Sequence, residues 1–103
     1  MMRNERDMRE EIKARGPIEA SMLLYQDFHY YRSGVYRHIV SRKSAFGHAI
    51  KIIGWGVEKG IPYWLCVNSW GPKWGDDGFF KILRGRNECD IESRSLVAGE
   101  PLL

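Results

Sequence analysis

The sequence predicts an α+β fold, a mainly antiparallel twisted sheet with one helix at its N-terminal end. Three observations carry that expectation. Residues 4–15, NERDMREEIKAR, are helix formers with acids in the first turn and with Met8 and Ile12 at helical spacing, and Gly16-Pro17 stops them. The later runs are rich in aliphatic and aromatic residues and are punctuated by Gly, Pro, Asn and Asp. No repeat, linker or low-complexity tract divides the 103 residues, so residues 1–103 are expected to be one domain at most.

Taken in order, Asn4 can cap the helix, and IEASMLLY (residues 18–25) is a strand. QDFHYYRSG then reads as a short helical turn closing on Ser33-Gly34. Residues 35–40 are β-prone but mixed, and the polar SRKSAF that follows reads as a surface loop. Residues 48–57 are a strand, EKGIP is a turn, and residues 63–70 form a second strand that pairs with the first as an antiparallel hairpin. GPKWGDDG is an irregular loop pinned by Trp74, FFKILRG a third strand, RNECDIES one helical turn, and LVAG a last short strand.

Hydrophobic residues make up 44% and charged residues 28%, the balance of a folded chain rather than a disordered one. A chain of this size buries only about 60 to 70% of its unfolded surface, enough for a small core. The net charge of +3 is scattered, and the longest basic cluster, Arg42-Lys43, is too short to track a phosphate backbone, which argues against nucleic acid. No apolar run reaches the roughly 18 residues of a membrane span, and the charged opening MMRNERDMREEIKARG is no signal peptide. As written, nothing directs the chain out of the cytosol. Cys66 and Cys89 are the only cysteines; they lack zinc-site spacing and read as buried free thiols, with Cys66 in WLCVNSW a small packed hydrophobe.

One residue does not fit a strand core: His48, at the head of the apolar run HAIKIIGWG. A hairpin turning near residues 59–60 sets His48 close to Ser69 or Trp70 and within a residue or two of Asn68. An Asn oxygen beside an imidazole accepts the ring N–H, fixes the tautomer and leaves the other nitrogen facing a nucleophile across a cleft. An indole such as Trp70 over that bond keeps water from competing for it. The competing reading of His48 is an ordinary hydrogen-bonded histidine at a strand start, and that reading is kept for His29 and His38.

GHAIKIIGWG, PYWLCVNSWG and WGDDGFFKILRG together resemble the C-terminal half of the papain-like cysteine peptidases. GPIEASMLLYQDFHYYRSGVYRH, ECDIES and VAGEP narrow the resemblance to the cathepsin B branch over nearly the whole chain. The resemblance implies a partial β-barrel, with His48 as the catalytic imidazole, Asn68 as its orienting partner and Trp70 as the cover over their contact. It implies thiol-dependent peptide hydrolysis on peptide or protein substrates, with no cofactor or metal, and a partner in the N-terminal half that carries the nucleophilic Cys and its oxyanion Gln. Neither Cys66 nor Cys89 lies in the family's nucleophile setting, so this chain alone is expected to be inactive. Residence in the lysosome or outside the cell follows by resemblance, with neither nucleic acid nor membrane as partner.

Departures from the family also inform the expectation. By resemblance, Met22, Gly47, Ala49 and Arg94 belong to the pocket for the second residue before the cut, and Arg94 stands where cathepsin B has an acid. An Arg there repels basic side chains and favours acidic or neutral ones, while Met22, bulkier than the usual small residue, makes the pocket shallower. The competing reading of Arg94 is an exposed arginine directed away from the cleft. RNERDM and NECDIES resemble as well the tubulointerstitial nephritis antigen group, secreted relatives without the catalytic Cys that serve as adhesion or binding modules.

Overall fold

Charge placement builds the helix. In the computed structural model, which describes residues 5–38 and 43–94 (43–46 by their backbone), Glu5 and Asp7 open α1 (Glu5–Arg15), and Lys13 and Arg15 close it. Each sign complements the helix dipole at its own end. Pairs one turn apart, Arg6 with Glu10 at 3.5 Å and Arg15 with Glu11 at 3.6 Å, add a few tenths of a kcal/mol each. Met8 is the buried residue of α1, Gly16 N–H closes onto the Ile12 carbonyl at 2.9 Å, and Pro17 cannot continue the ladder.

The sheet has five strands, β1 (Ile18–Tyr25), β2 (Val35–Tyr36), β3 (Lys43–Glu58), β4 (Ile61–Val67) and β5 (Phe79–Leu83), in the spatial order β1-β3-β4-β5-β2. All neighbours are antiparallel except β2, which runs parallel to β5. In β1, Ile18, Ala20, Met22 and Leu24 turn inward, and their partners Ile52, Ile50 and His48 share that face. Trp64, Cys66, Phe80 and Ile82 extend the same buried layer, with Phe28 and Met8 packed into it. His48 therefore stands on the inward row of β3, at the end of the core rather than inside it.

Lys59 and Gly60, with φ of 51° and 80°, form the two-residue turn between β3 and β4, and Glu58 faces Ile61. Positive φ at both positions matches the right-handed twist of the strands it joins. A bulge between Ile52 and Gly54 then shifts the register, so that pairing ends with Lys51 opposite Val67.

The structure departs from the sequence expectation in three places. Residues 43–46, expected in a loop, extend β3 because their backbone pairs with β1 as far as Tyr25 opposite Lys43. β4 stops at Val67, since Asn68 N–H leaves the ladder for the Gly78 carbonyl at 3.0 Å. Of the β-prone residues 35–40, Val35 and Tyr36 form a strand; residues 39 and 40, and the strand expected at LVAG, lie outside the described residues. The expected turn near Cys89 is a short 3-10 helix, Glu88–Asp90, and another covers Gln26–Tyr30.

A buried polar network fixes the end of the molecule remote from His48. Glu92, 6% exposed, accepts from Trp64 Nε1–H at 2.9 Å, Gly85 N–H at 2.5 Å and Asn87 N–H at 3.1 Å. Arg84, 9% exposed, ties α1 to the hairpin through Glu5 at 2.6 Å and the carbonyls of Tyr63 and Gly56. A carboxylate or guanidinium removed from water needs such partners.

Candidate active site

Asn68 is placed by the loop that follows β4. Its backbone N–H is held by Gly78, whose own N–H returns to Trp74 O at 2.8 Å. Gly78 has φ of +89°, and a Cβ there would stand 3.3 Å from the Gly71 carbonyl, so the loop needs glycine at this point. The result is a carboxamide, 5% exposed, aimed at β3.

His48 Nε2 lies 2.6 Å from Asn68 Oδ1. The same oxygen accepts the Ser69 backbone N–H at 2.7 Å. A backbone N–H can only donate, so the oxygen of the amide must face both groups, and His48 Nε2 must carry the proton it shares with that oxygen. Nδ1 is thereby left as the ring nitrogen available for proton exchange. Asn68 Nδ2 is buried and has no hydrogen-bond partner among the described residues.

Aromatic rings cover the pair. The Trp70 and His48 ring centroids are 4.8 Å apart with planes tilted by 40°. Phe28 at 5.7 Å and Trp74 at 5.3 Å meet Trp70 in edge-to-face contacts, and Phe28 is wholly buried. Such contacts contribute about 0.5 to 1.5 kcal/mol each beyond area burial and set the angle of the indole.

Sequence reasoning missed His29. Its ring stacks on Trp70 at 4.8 Å with planes 10° apart, and its carbonyl accepts Trp74 Nε1–H at 3.2 Å. Nothing in QDFHYY distinguishes this histidine from its neighbours, because the contact spans the sheet. His38 stands elsewhere, stacked on Tyr25 at 3.7 Å, with Nδ1 3.4 Å from Asp27 and its backbone N–H bonded to Glu88.

The remaining expected site residues divide between two faces of the sheet. Met22 faces inward beside His48 and is wholly buried, so it presents no accessible surface. Ala49, opposite Ser21, alternates onto the outer face and lines a groove of about 460 Å³ with Glu19, Lys51, Val67, Asn68 and Ser69. Gly47 lies two residues away along the strand, and a Cβ there would meet Arg94 Nη1 at 3.1 Å. Arg94 is thus drawn against β3: its carbonyl accepts Ser21 N–H at 3.3 Å, and its Nε is 4.0 Å from Asp90.

The two cysteines are buried free thiols, and Cys66 lies two residues before Asn68. Burial pushes the Cys66 thiol well above its ordinary range, and burial, reinforced by the Glu88 carboxylate, raises Cys89 to about 12. Both are free thiols, protonated and poorly nucleophilic at neutral pH. Among the described residues, no group of His, Cys, Asp and Glu has the geometry of a metal site, and no helix is long and apolar enough to cross a membrane.

Comparison with known proteins gives the same frame. Residues 1–98 match the family described as papain family cysteine protease. A gut-specific cysteine proteinase of Caenorhabditis elegans is 55% identical over 98 residues, covering 95% of this chain and 29% of that protein. Cathepsin B-like cysteine proteinase 3 of the same organism is 57% identical over 93 residues, covering 90% of this chain and 25% of the relative. The solved structure of procathepsin B S9 from Trypanosoma congolense superposes with a TM-score of 0.87 at 42% identity, over 92% of this chain and 32% of that one. The chain spans between a quarter and a third of the length of these proteins, and it belongs to the papain family of cysteine proteases.

Proposed function

We propose that this chain supplies the imidazole and the orienting carboxamide of a cathepsin B-like cysteine peptidase, acting on peptides or proteins together with a Cys-bearing N-terminal half of the same fold. The observation that carries the reading is the 2.6 Å contact of His48 Nε2 with an Asn68 oxygen locked in place by Ser69 N–H. The buried, unpartnered Asn68 Nδ2 beside an open, largely apolar groove supports it further, since a buried donor calls for an acceptor brought by another segment.

In this reading, His48 Nδ1 takes the proton of the partner half's thiol. The thiolate adds to the scissile carbonyl carbon, forming a C–S bond and an oxyanion. As the oxyanion collapses and the C–N bond breaks, the imidazolium gives its Nδ1 proton to the departing amine, leaving a thioester. Nδ1 next takes a proton from water as its oxygen bonds to the acyl carbon; the C–S bond then breaks, sulfur leaves as the thiolate beside the imidazolium, and the carboxylic acid departs. Asn68 holds Nε2–H throughout, so the ring neither rotates nor changes tautomer, and Trp70 keeps water from the shared proton. Cys66 and Cys89 are too deeply buried and too firmly protonated to replace the missing nucleophile, so the chain alone does not cleave peptides. Oxyanion donors of the other half would add about 3 to 4 kcal/mol of transition-state stabilisation.

Arg94, drawn against Gly47, makes the pocket for the second residue before the cut favour acidic or neutral side chains over basic ones. The complete protein resides in the lysosome or outside the cell. The test is labelling of the complete protein by an epoxide cysteine-protease probe, with turnover of a dipeptidyl fluorogenic substrate. Both are expected in the parent and absent in His48→Ala. A parent that takes no label and turns over nothing overturns the enzyme reading in favour of a non-catalytic adhesion module.

A further inference from the structure

His29 belongs to the site's scaffold rather than to its reaction, and we infer that it is a positioning residue that clamps Trp70 over the His48–Asn68 bond. The inference rests on the proposed role of His48 but has its own observable. Trp70 contacts two imidazoles. His48 meets it at 4.8 Å with a 40° tilt, while His29 lies against it at 4.8 Å and only 10° from parallel. Phe28 and Trp74 meet the indole in edge-to-face contacts, so, of its ring neighbours, His29 alone lies flat on it.

His29 is itself exposed, yet it is not loosely placed. It stands in the 3-10 helix Gln26–Tyr30, anchored by wholly buried Phe28 next to it, and its carbonyl is held by Trp74 Nε1–H at 3.2 Å. Trp74 thus fixes the backbone of His29 and the edge of Trp70 together. The stack serves in either charge state, as ring stacking when the imidazole is neutral and as a cation over an indole face when it is protonated. A planar ring at position 29 restricts outward swing of Trp70, the motion that would admit water to the proton shared by His48 and Asn68.

The test uses the ¹⁵N-labelled complete protein and the downfield Nε2–H proton of His48, whose exchange with solvent reports how often the indole moves aside. His29→Ala is expected to speed that exchange by about three- to tenfold, the range a single aromatic stack supports. His29→Phe, which keeps a planar ring without an imidazole, is expected to restore exchange to within about twofold of the parent. Exchange at the parent rate in His29→Ala overturns the inference, and so does His29→Phe exchanging as fast as His29→Ala. Peptidase activity is not the readout: a protein that fails epoxide labelling while showing this exchange pattern removes the proposed enzyme function and leaves the clamp standing.

Discussion

The two ends of the sheet treat buried polar groups in opposite ways. Around Glu92, the carboxylate collects three N–H donors, and Asn87 Oδ1 accepts in return from the backbone N–H groups of Glu92 and Ser93. Around His48, one ring nitrogen is committed and the other is left for chemistry, a buried amide N–H₂ lacks a partner among the described residues, and a groove opens alongside. Satisfied polar groups hold a shape, whereas incompletely satisfied ones mark where something else must bind or react. The Glu92 network also sets where the turn carrying Arg94 meets β1, so the closed end supports the open one.

Substitutions should separate the two ends cleanly. The largest effect is expected from His48→Ala in the complete protein, with peptide turnover falling by about 10⁴-fold or more while chemical denaturation shifts by less than about 1 kcal/mol. Glu92→Ala is expected to do the reverse, costing about 3 kcal/mol or more in urea unfolding because it strands buried N–H donors. A His48→Ala variant that unfolds as readily as Glu92→Ala would erase the contrast.

Smaller effects sharpen it. Arg94→Glu should move preference at the second residue before the cut from acidic toward basic side chains by about tenfold in kcat/KM, read from paired fluorogenic peptides. Alkaline titration should give the smallest effect. The native fold raises the Cys89 thiol from 9.0 to about 12, so the folded chain keeps a proton that the unfolded chain gives up. Its contribution is full below about pH 9 and is lost as pH rises toward about 12. Cys89→Ser should flatten part of the alkaline fall in thermal stability, measured by circular dichroism.

Much of this was legible in the letters because it is local. The acids and bases of α1, the Gly16-Pro17 stop and the two-residue turn at Lys59-Gly60 follow from short-range chemistry, and the turn brings His48 near Asn68. What escaped depends on contacts between distant segments. The bulge at Ile53 is hinted at only by Gly54 beside it, the β-pairing of residues 43–46 is imposed by β1 on a mixed stretch, and the parallel course of β2 arises only once β5 is in place. Met22 sits with the pocket residues in sequence expectation, yet its place opposite His48 on the inward row buries it. His29 meets Trp70 across 41 positions of chain, and no local pattern encodes such a stack.

The central claim is that Asn68 commits one imidazole nitrogen of His48 and frees the other. Imidazole ¹⁵N NMR of the chain, recorded with the ring neutral, measures this directly. The expected result is a protonated Nε2 and an unprotonated Nδ1, with that preference weakened in Asn68→Ala. A proton resting on Nδ1 in the parent, or a tautomer indifferent to the loss of Asn68, would contradict it.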